Sequence, residues 1–240
     1  IVTGVESFEV EATPFQITLQ PLVRTLQSAR VRLADTVVSI DPRGGQLMTT
    51  RFVVEPEGLL DCTLRLPEKH QLVGVRLAGR PALFRRVEGA DWQVTLGPQL
   101  PTMLEVVSRS GESAKSPGRS EIRRPALLAG GEPIPVEINL WSLGSPLASP
   151  KPTITETAES TAGEQAVLRL DRLLSIAESA TPAAVESPAP DGENWFRPWA
   201  GLLRSLRSEA LETVARPDSR QLVSQVSHPL EEQLGNARKT

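Results

Sequence analysis

Two histidines, one cysteine and a scatter of carboxylates are the side chains from which this chain would have to build any reaction. A serine nucleophile needs an imidazole held by packing within hydrogen-bond reach, and that imidazole needs an acid to orient it. His70 lies in the turn-like run Pro67-Glu68-Lys69-His70, and His228 precedes Pro229 in a polar tail. Neither position is one that packing would hold, and no Gly-x-Ser-x-Gly elbow is present. A single cysteine, Cys62, excludes a disulfide within the chain and a zinc site built on several cysteines. No His/carboxylate spacing matches a metal-ligand pattern. Gly44-Gly45 and Gly130-Gly131 are isolated pairs that open no helix, so they read as turns rather than as a phosphate cradle. Glycoside cleavage needs only two carboxylates, and Glu55, Glu57, Asp61, Glu88 and Asp91 all fall near strand ends. The same acids are expected on any solvated sheet face. The expectation is a chain with no catalytic residue, no cofactor and no metal.

Binding surfaces come next. Arg76, Arg80, Arg85 and Arg86 form a local basic group. A nucleic-acid surface would interleave such cations with exposed aromatic rings. Only Phe84 is at hand, and the net charge is −3, so no nucleic-acid partner is expected. A charged strand edge that discourages edge-to-edge pairing accounts for these arginines. Trp195 and Trp199 stand four residues apart on a helical stripe with Leu202 and Leu206. They read as a plug sealing that helix against the sheet, with a partner-binding site as the other reading. Trp141, with Arg76 and Arg80, is the candidate ligand face if the protein binds or cleaves carbohydrate.

The elements that would carry these residues are mostly strands. From Leu59 to Ser108, apolar and polar residues alternate with a period of two, and each run ends on Gly or Pro. Leu60, Cys62, Leu64 and Leu66 fall on one face, Val73, Val75 and Leu77 on the next inward row, and Trp92, Val94 and Leu96 on another. Trp92 has the best claim to the centre of the core. Earlier runs at Phe8–Ala12, Phe15–Leu19, Val31–Leu33 and Phe52–Val54 follow the same rule. Turn signals at this spacing indicate an antiparallel β-sandwich over residues 1–110. A mobile loop is expected over 111–132, a returning edge strand over 133–143, and a Pro/Ser/Thr linker over 144–160. At Thr161 the period changes to 3.6. Thr161 and Glu164 fit a capping box. The first helix should end near Ala180, before Thr181-Pro182. The second should start near Arg197 with Pro198 in its first turn, where a missing amide is harmless. A weaker segment from Asp218 and a frayed tail complete a helical hairpin over 161–240. The fold class is therefore mainly β, with a C-terminal α-helical hairpin.

The run Leu64-Arg65-Leu66-Pro67-Glu68-Lys69-His70-Gln71-Leu72-Val73-Gly74-Val75-Arg76-Leu77-Ala78-Gly79-Arg80-Pro81 is followed by Trp92-Gln93-Val94-Thr95-Leu96. Pro135-Val136-Glu137-Ile138-Asn139-Leu140-Trp141-Ser142-Leu143 and the Trp195–Val214 helix come later. Together they resemble a β-rich region of large membrane-anchored envelope proteins of planctomycete-type bacteria, over roughly Phe52 to Val214. The shared motifs are structural, so no functional residue carries over. The resemblance implies an extracytoplasmic location, in the periplasm or cell envelope, and no assigned activity. No run approaches the ~20 apolar residues that cross a bilayer, so no direct membrane insertion is expected of this stretch. The chain opens at Ile1 rather than Met, which reads as a fragment or processed chain. The function expected is a non-catalytic structural or protein-interaction module, with another protein or the rest of the same polypeptide as partner. The alternative is a carbohydrate-binding or carbohydrate-cleaving β-sandwich.

Overall fold

The computed structural model describes residues 29–41, 45–97, 100–111, 122–144, 160–186 and 191–213. The early runs Phe8–Ala12 and Phe15–Leu19, residues 112–121 of the expected loop, most of the expected linker, and the segment from Asp218 lie outside them. Among the described residues the elements are β1 (Arg30–Ile40), β2 (Gln46–Glu55), β3 (Asp61–Arg65), β4 (His70–Leu77), β5 (Arg80–Pro81), β6 (Phe84–Glu88), β7 (Asp91–Thr95), β8 (Thr102–Ser110), β9 (Ala126–Ala129), β10 (Glu132–Pro133) and β11 (Asn139–Gly144). Helices α1 (Ala162–Glu186) and α2 (Asp191–Thr213) follow.

The strands form a six-stranded sheet in the order β11-β1-β2-β8-β4-β5 and a five-stranded sheet in the order β10-β9-β3-β7-β6. Strand neighbours are antiparallel except β1 and β11, which run parallel. Between the sheets Phe52, Val54, Leu64, Val94, Leu104 and Val106 pack into one core. On the outer face of the larger sheet a second core joins Leu33, Val53 and Leu140 to the apolar stripes of α1 and α2. The molecule is therefore a β-rich body with a helical pair, as the change of period at Thr161 implies.

One bulge lets β1 serve both cores. Val31 pairs with Val54 and Leu33 with Val53, so Arg32 is the extra residue. A one-residue slip flips the side-chain alternation. Val31 and Ala34 consequently face the smaller sheet, while Leu33 faces the helices. A second bulge, between Leu72 and Gly74, corrects the inward row expected for β4. Leu72, Val75 and Leu77 turn to the core, and Val73 is 56% exposed.

Other expectations also shift. Phe52, with no exposed surface, lies in the inter-sheet core, whereas Trp92 is half-buried at its margin, where β6 leaves it partly uncovered. Leu60 is exposed because it precedes β3. Within the loop expected over 111–132, Ala126–Ala129 and Glu132–Pro133 form a short hairpin. Its turn residues Gly130 and Gly131 have φ values of 59° and 92°, the left-handed geometry that matches strand twist. Leu127 and Leu128 are buried, too short a run to show a period.

The capping box at α1 is present. The Thr161 amide donates to Glu164 Oε2 at 2.7 Å, and the Glu164 amide donates to Thr161 Oγ1 at 3.2 Å. Both helices run through the prolines expected to bound them. α1 continues past Pro182 to Glu186, and α2 begins at Asp191, upstream of Pro198. Buried Ala180 and Ala184 hold the end of α1 in the helical core, which outweighs the lost backbone bond. Upstream of Pro198, buried Trp195 and Phe196 anchor the start of α2 in the same way.

Candidate functional site

Among the described residues two groups of charged side chains stand out, and they do different work. The first lies at the seam between the larger sheet and the helices. Arg169 of α1 is 9% exposed and lies over Asp35 of β1, which is 7% exposed. Arg169 Nη2 donates to Asp35 Oδ1 at 3.1 Å, and Nε lies 2.9 Å from Oδ2. The same guanidinium reaches Glu209 Oε1 of α2 at 3.2 Å and Ser142 Oγ of β11 at 3.4 Å. One side chain thus ties β1, β11 and both helices together. A buried guanidinium is costly unless its charge is compensated, and here both terminal nitrogens donate hydrogen bonds while the buried Nε has only the nearby Asp35 charge and no hydrogen bond of its own.

Beside it lies a second cluster. Arg30 Nε donates to Glu55 Oε2 at 2.6 Å, Arg32 Nη1 lies 3.2 Å from Glu55 Oε1, and Arg32 Nε lies 3.2 Å from Glu137 Oε2. Arg172 of α1 pairs with the same Glu137. Burial, together with the neighbouring Arg32 charge, pushes Arg172 down from its ordinary value. The bulge at Arg32 is what turns that side chain toward these acids.

The second place is the flank where the chain passes from β5 in one sheet to β6 in the other. Arg80, Arg85 and Arg86 are exposed there, with Leu83, Phe84 and Val87. Arg85 Nε donates to Gln93 Oε1 at 2.7 Å. Arg86 donates to the Gly89 carbonyl at 2.8 and 3.0 Å and lies over the Trp92 ring, 5.8 Å from its centroid. Phe84 meets Trp92 edge-on at 5.6 Å. Arg76 belongs to β4 and lies 3.7 Å from Glu105.

The residues singled out from the sequence fall as follows. Trp195, Trp199 and Leu206 are buried in the helical core and Leu202 is half-buried against it. Trp195 Nε1 donates to the Pro101 carbonyl at 2.7 Å, so this cluster seals the helix start against the sheet. Trp141 is half-buried on β11, and Arg76 and Arg80 lie at the opposite edge of the same sheet. Four strand spacings of about 4.8 Å separate Trp141 from Arg76 on β4 and five separate it from Arg80 on β5, so they do not form one face. Cys62 is buried, and burial pushes its thiol up to about 12.

His70 is better held than its turn suggested. It opens β4, and Nδ1 lies 3.1 Å from Ser108 Oγ. Ser108 is 1% exposed, so its hydroxyl is closed to a substrate, and burial lowers the His70 pKa toward the neutral ring. Of the acids near strand ends, Glu55 is taken by Arg30 and Arg32, Asp61 accepts from Thr95 Oγ1 at 2.8 Å, and Asp91 forms a two-pronged pair with Arg65 at 2.8 and 2.9 Å. That guanidinium holds the Asp91 carboxyl below its usual value. Among the described residues no group of three or more His, Cys, Asp and Glu stands together as a metal would require, and no helix is long and apolar enough to cross a membrane. A hollow of about 660 Å³ at the end of β1 and β2 is lined by Ser39, Asp41, Gln71 and Arg109. The Asp41 carboxylate there is engaged with the Gly45 amide at 2.9 Å, and a Cβ at Gly45 would collide with it.

No protein-family model matches the chain, and no curated protein matches it. Among solved structures it is similar over 34% of its length to an M1 zinc metallopeptidase from Deinococcus radiodurans, at 16% identity and a TM-score of 0.30. It is similar over 50% of its length to leukotriene A4 hydrolase from Saccharomyces cerevisiae, at 16% identity and a TM-score of 0.34. The matched stretches span 20% and 24% of those two chains. The chitin-binding domain of a chitinase from Pyrococcus furiosus matches over 97% of its own length and 42% of this chain, at 13% identity and a TM-score of 0.26. Likenesses this weak carry neither a shared activity nor a shared site.

Proposed function

We propose that this chain is a non-catalytic structural or protein-interaction module of a larger cell-envelope protein, working outside the cytoplasm. The observation that carries this reading is the use made of Arg169. Ion pairs with little exposure among the described residues, Arg169 with Asp35, Arg32 with Glu55, and Glu137 shared by Arg32 and Arg172, are spent on joining strands to one another and to α1. Groups held that way fix a shape and are closed to a substrate. The compartment rests on the resemblance of the Leu64–Pro81 and Ile134–Leu143 runs. The test is a concentration-dependent mass measurement with a pull-down from envelope extract. A defined partner or self-association supports the reading; a strict monomer that takes no partner, or turnover of a hydrolase substrate panel, sinks it.

Carbohydrate binding stands as the second reading because Trp92 and Trp141 keep part of their rings in solvent. Isothermal titration with cell-wall oligosaccharides, compared with the Trp92→Ala and Trp141→Ala variants, separates the two.

A further inference from the structure

We propose that the free edge of β6 is a docking site for an extended acidic segment of a partner protein, which adds to the smaller sheet as a sixth strand. The inference rests on the module reading above and names the surface and the chemistry of its partner.

β6 ends its sheet, and among the described residues no strand lies beyond it. All five of its residues are exposed. The Leu83 carbonyl accepts from the Thr95 amide at 3.3 Å, which points the backbone groups of Leu83 toward β7. The alternation of an antiparallel ladder then turns those of Phe84 and Arg86 outward. An unpaired row of this kind is a template for a further strand.

Two features say what kind of strand. Leu83 is 80% exposed, Val87 60% and Phe84 42%. Arginines placed only to block aggregation do not require three uncovered apolar side chains in the same short stretch. The arginines themselves are oriented by neutral groups, Arg85 by Gln93 and Arg86 by the Gly89 carbonyl and the Trp92 ring. Among the described residues no carboxylate pairs with either arginine, and Glu88 is the only acid on the strand. A second copy pairing antiparallel about Arg86 would set Arg86 against Arg86, which is unfavourable. An acidic strand meets the opposite situation. The edge therefore discriminates: it repels its own kind and accepts a segment that offers a carboxylate and an apolar residue on each face, because successive side chains put Arg86 with Phe84 on one face and Arg85 with Leu83 on the other.

The probe is a short capped peptide of Glu-Glu-Val-Val repeats, which places Glu and Val on both faces of an added strand, titrated into the full chain and followed by ¹⁵N–¹H amide shifts. The expected result is shifts confined to Phe84–Glu88 and the adjoining β7. Binding should weaken at least tenfold in an Arg85→Glu/Arg86→Glu variant whose circular dichroism is unchanged. It should also be lost when Lys replaces Glu in the peptide, and when alternate peptide amides are N-methylated. The peptide controls do not depend on how the variant folds. No shifts at β6, or equal binding of the N-methylated or Lys peptides, overturns the proposal. An envelope partner retained equally by Arg85→Glu/Arg86→Glu also overturns it, while leaving the module reading standing.

Discussion

Replacing Asp35 by Ala should be among the most damaging single changes in this protein, and the reason lies in what it leaves behind. Asp35 and Arg169 have side chains only 9% and 11% exposed, in contact through both carboxylate oxygens. Removing the acid strands a guanidinium between the larger sheet and the helices, where water reaches it poorly. Breaking a buried pair in this way costs about 3–5 kcal/mol. Glu209 touches the same guanidinium at 3.2 Å, but its side chain is 47% exposed. Glu209→Ala should cost at most about 1 kcal/mol, since solvent screens that contact and replaces it. Removing both buried charges at once, with Asp35→Leu and Arg169→Met, should restore most of the lost stability, because no uncompensated charge remains. Urea unfolding read by far-ultraviolet circular dichroism and by tryptophan emission measures each variant. Emission is informative because Trp195 and Trp199 sit in the core that this pair helps to close. The coupling is the non-additive part of the cycle. Equal small losses for Asp35→Ala and Glu209→Ala would refute the reasoning, since burial would then not be deciding the cost. A double variant worse than either single one would refute it as well.

Three further outcomes follow from the same structure. Cys62 should resist thiol reagents at pH 8 in the folded protein and react once the chain is unfolded. Because its folded value is raised from 9.0 to about 12, its contribution to stability is complete below pH 9 and is lost at up to about 1.4 kcal/mol per unit as pH rises toward 12, which Cys62→Ala should abolish in alkaline unfolding titrations. His70 is shifted the other way by burial, so its contribution is present above the unfolded value near 6.5 and is lost as pH falls below it; His70→Gln should flatten the stability profile on the acid side of about pH 6.5 in chemical denaturation. Pro182→Ala should raise the thermal midpoint, because it restores an amide donor inside α1 and removes a helix penalty of up to about 3 kcal/mol; an unchanged or lowered midpoint would show that the proline is not interrupting the backbone ladder.

Most of the β architecture was legible because it is written in local alternation. Cys62, Leu64, Val94, Leu104 and Val106 all point where a period of two sends them. The misreadings share a cause, which is that tertiary packing overrode a local signal. Pro182 and Pro198 look like helix boundaries, yet buried Ala184 on one side and Trp195 and Phe196 on the other continue the helices past them. The bulges at Arg32 and Val73 each shift the alternation by one residue, and a single sequence does not mark where an extra residue enters a ladder. The four arginines were visible as a group, but only the strand order shows that Arg80, Arg85 and Arg86 share the β5–β6 flank while Trp141 lies at the far edge. The Arg169–Asp35 pair gave no signal at all, since 134 residues separate its partners.

That last pair clarifies why the larger sheet is the organising layer. A sheet covered on both faces needs apolar residues on both faces, and adjacent pairs in its central strands supply them. In β2, Val53 enters the helical core and Val54 the inter-sheet core; in β1, Leu33 and Ala34 divide in the same manner. Such doublets break strict alternation, so they look like noise in a two-layer scheme and become necessary in a three-layer one. The polar contacts obey the same geometry. Asp35 follows Leu33 on the helix-facing side, so its carboxylate is delivered under α1 by strand parity, and Arg169 meets it there among the buried residues of the helix. The helical pair is thus placed by shape through Leu33, Val53 and Leu140 and held in register by the Arg169–Asp35 and Arg172–Glu137 ion pairs. Seating the helices this way leaves β6, at the far side of the other sheet, as the exposed edge on which the docking proposal depends.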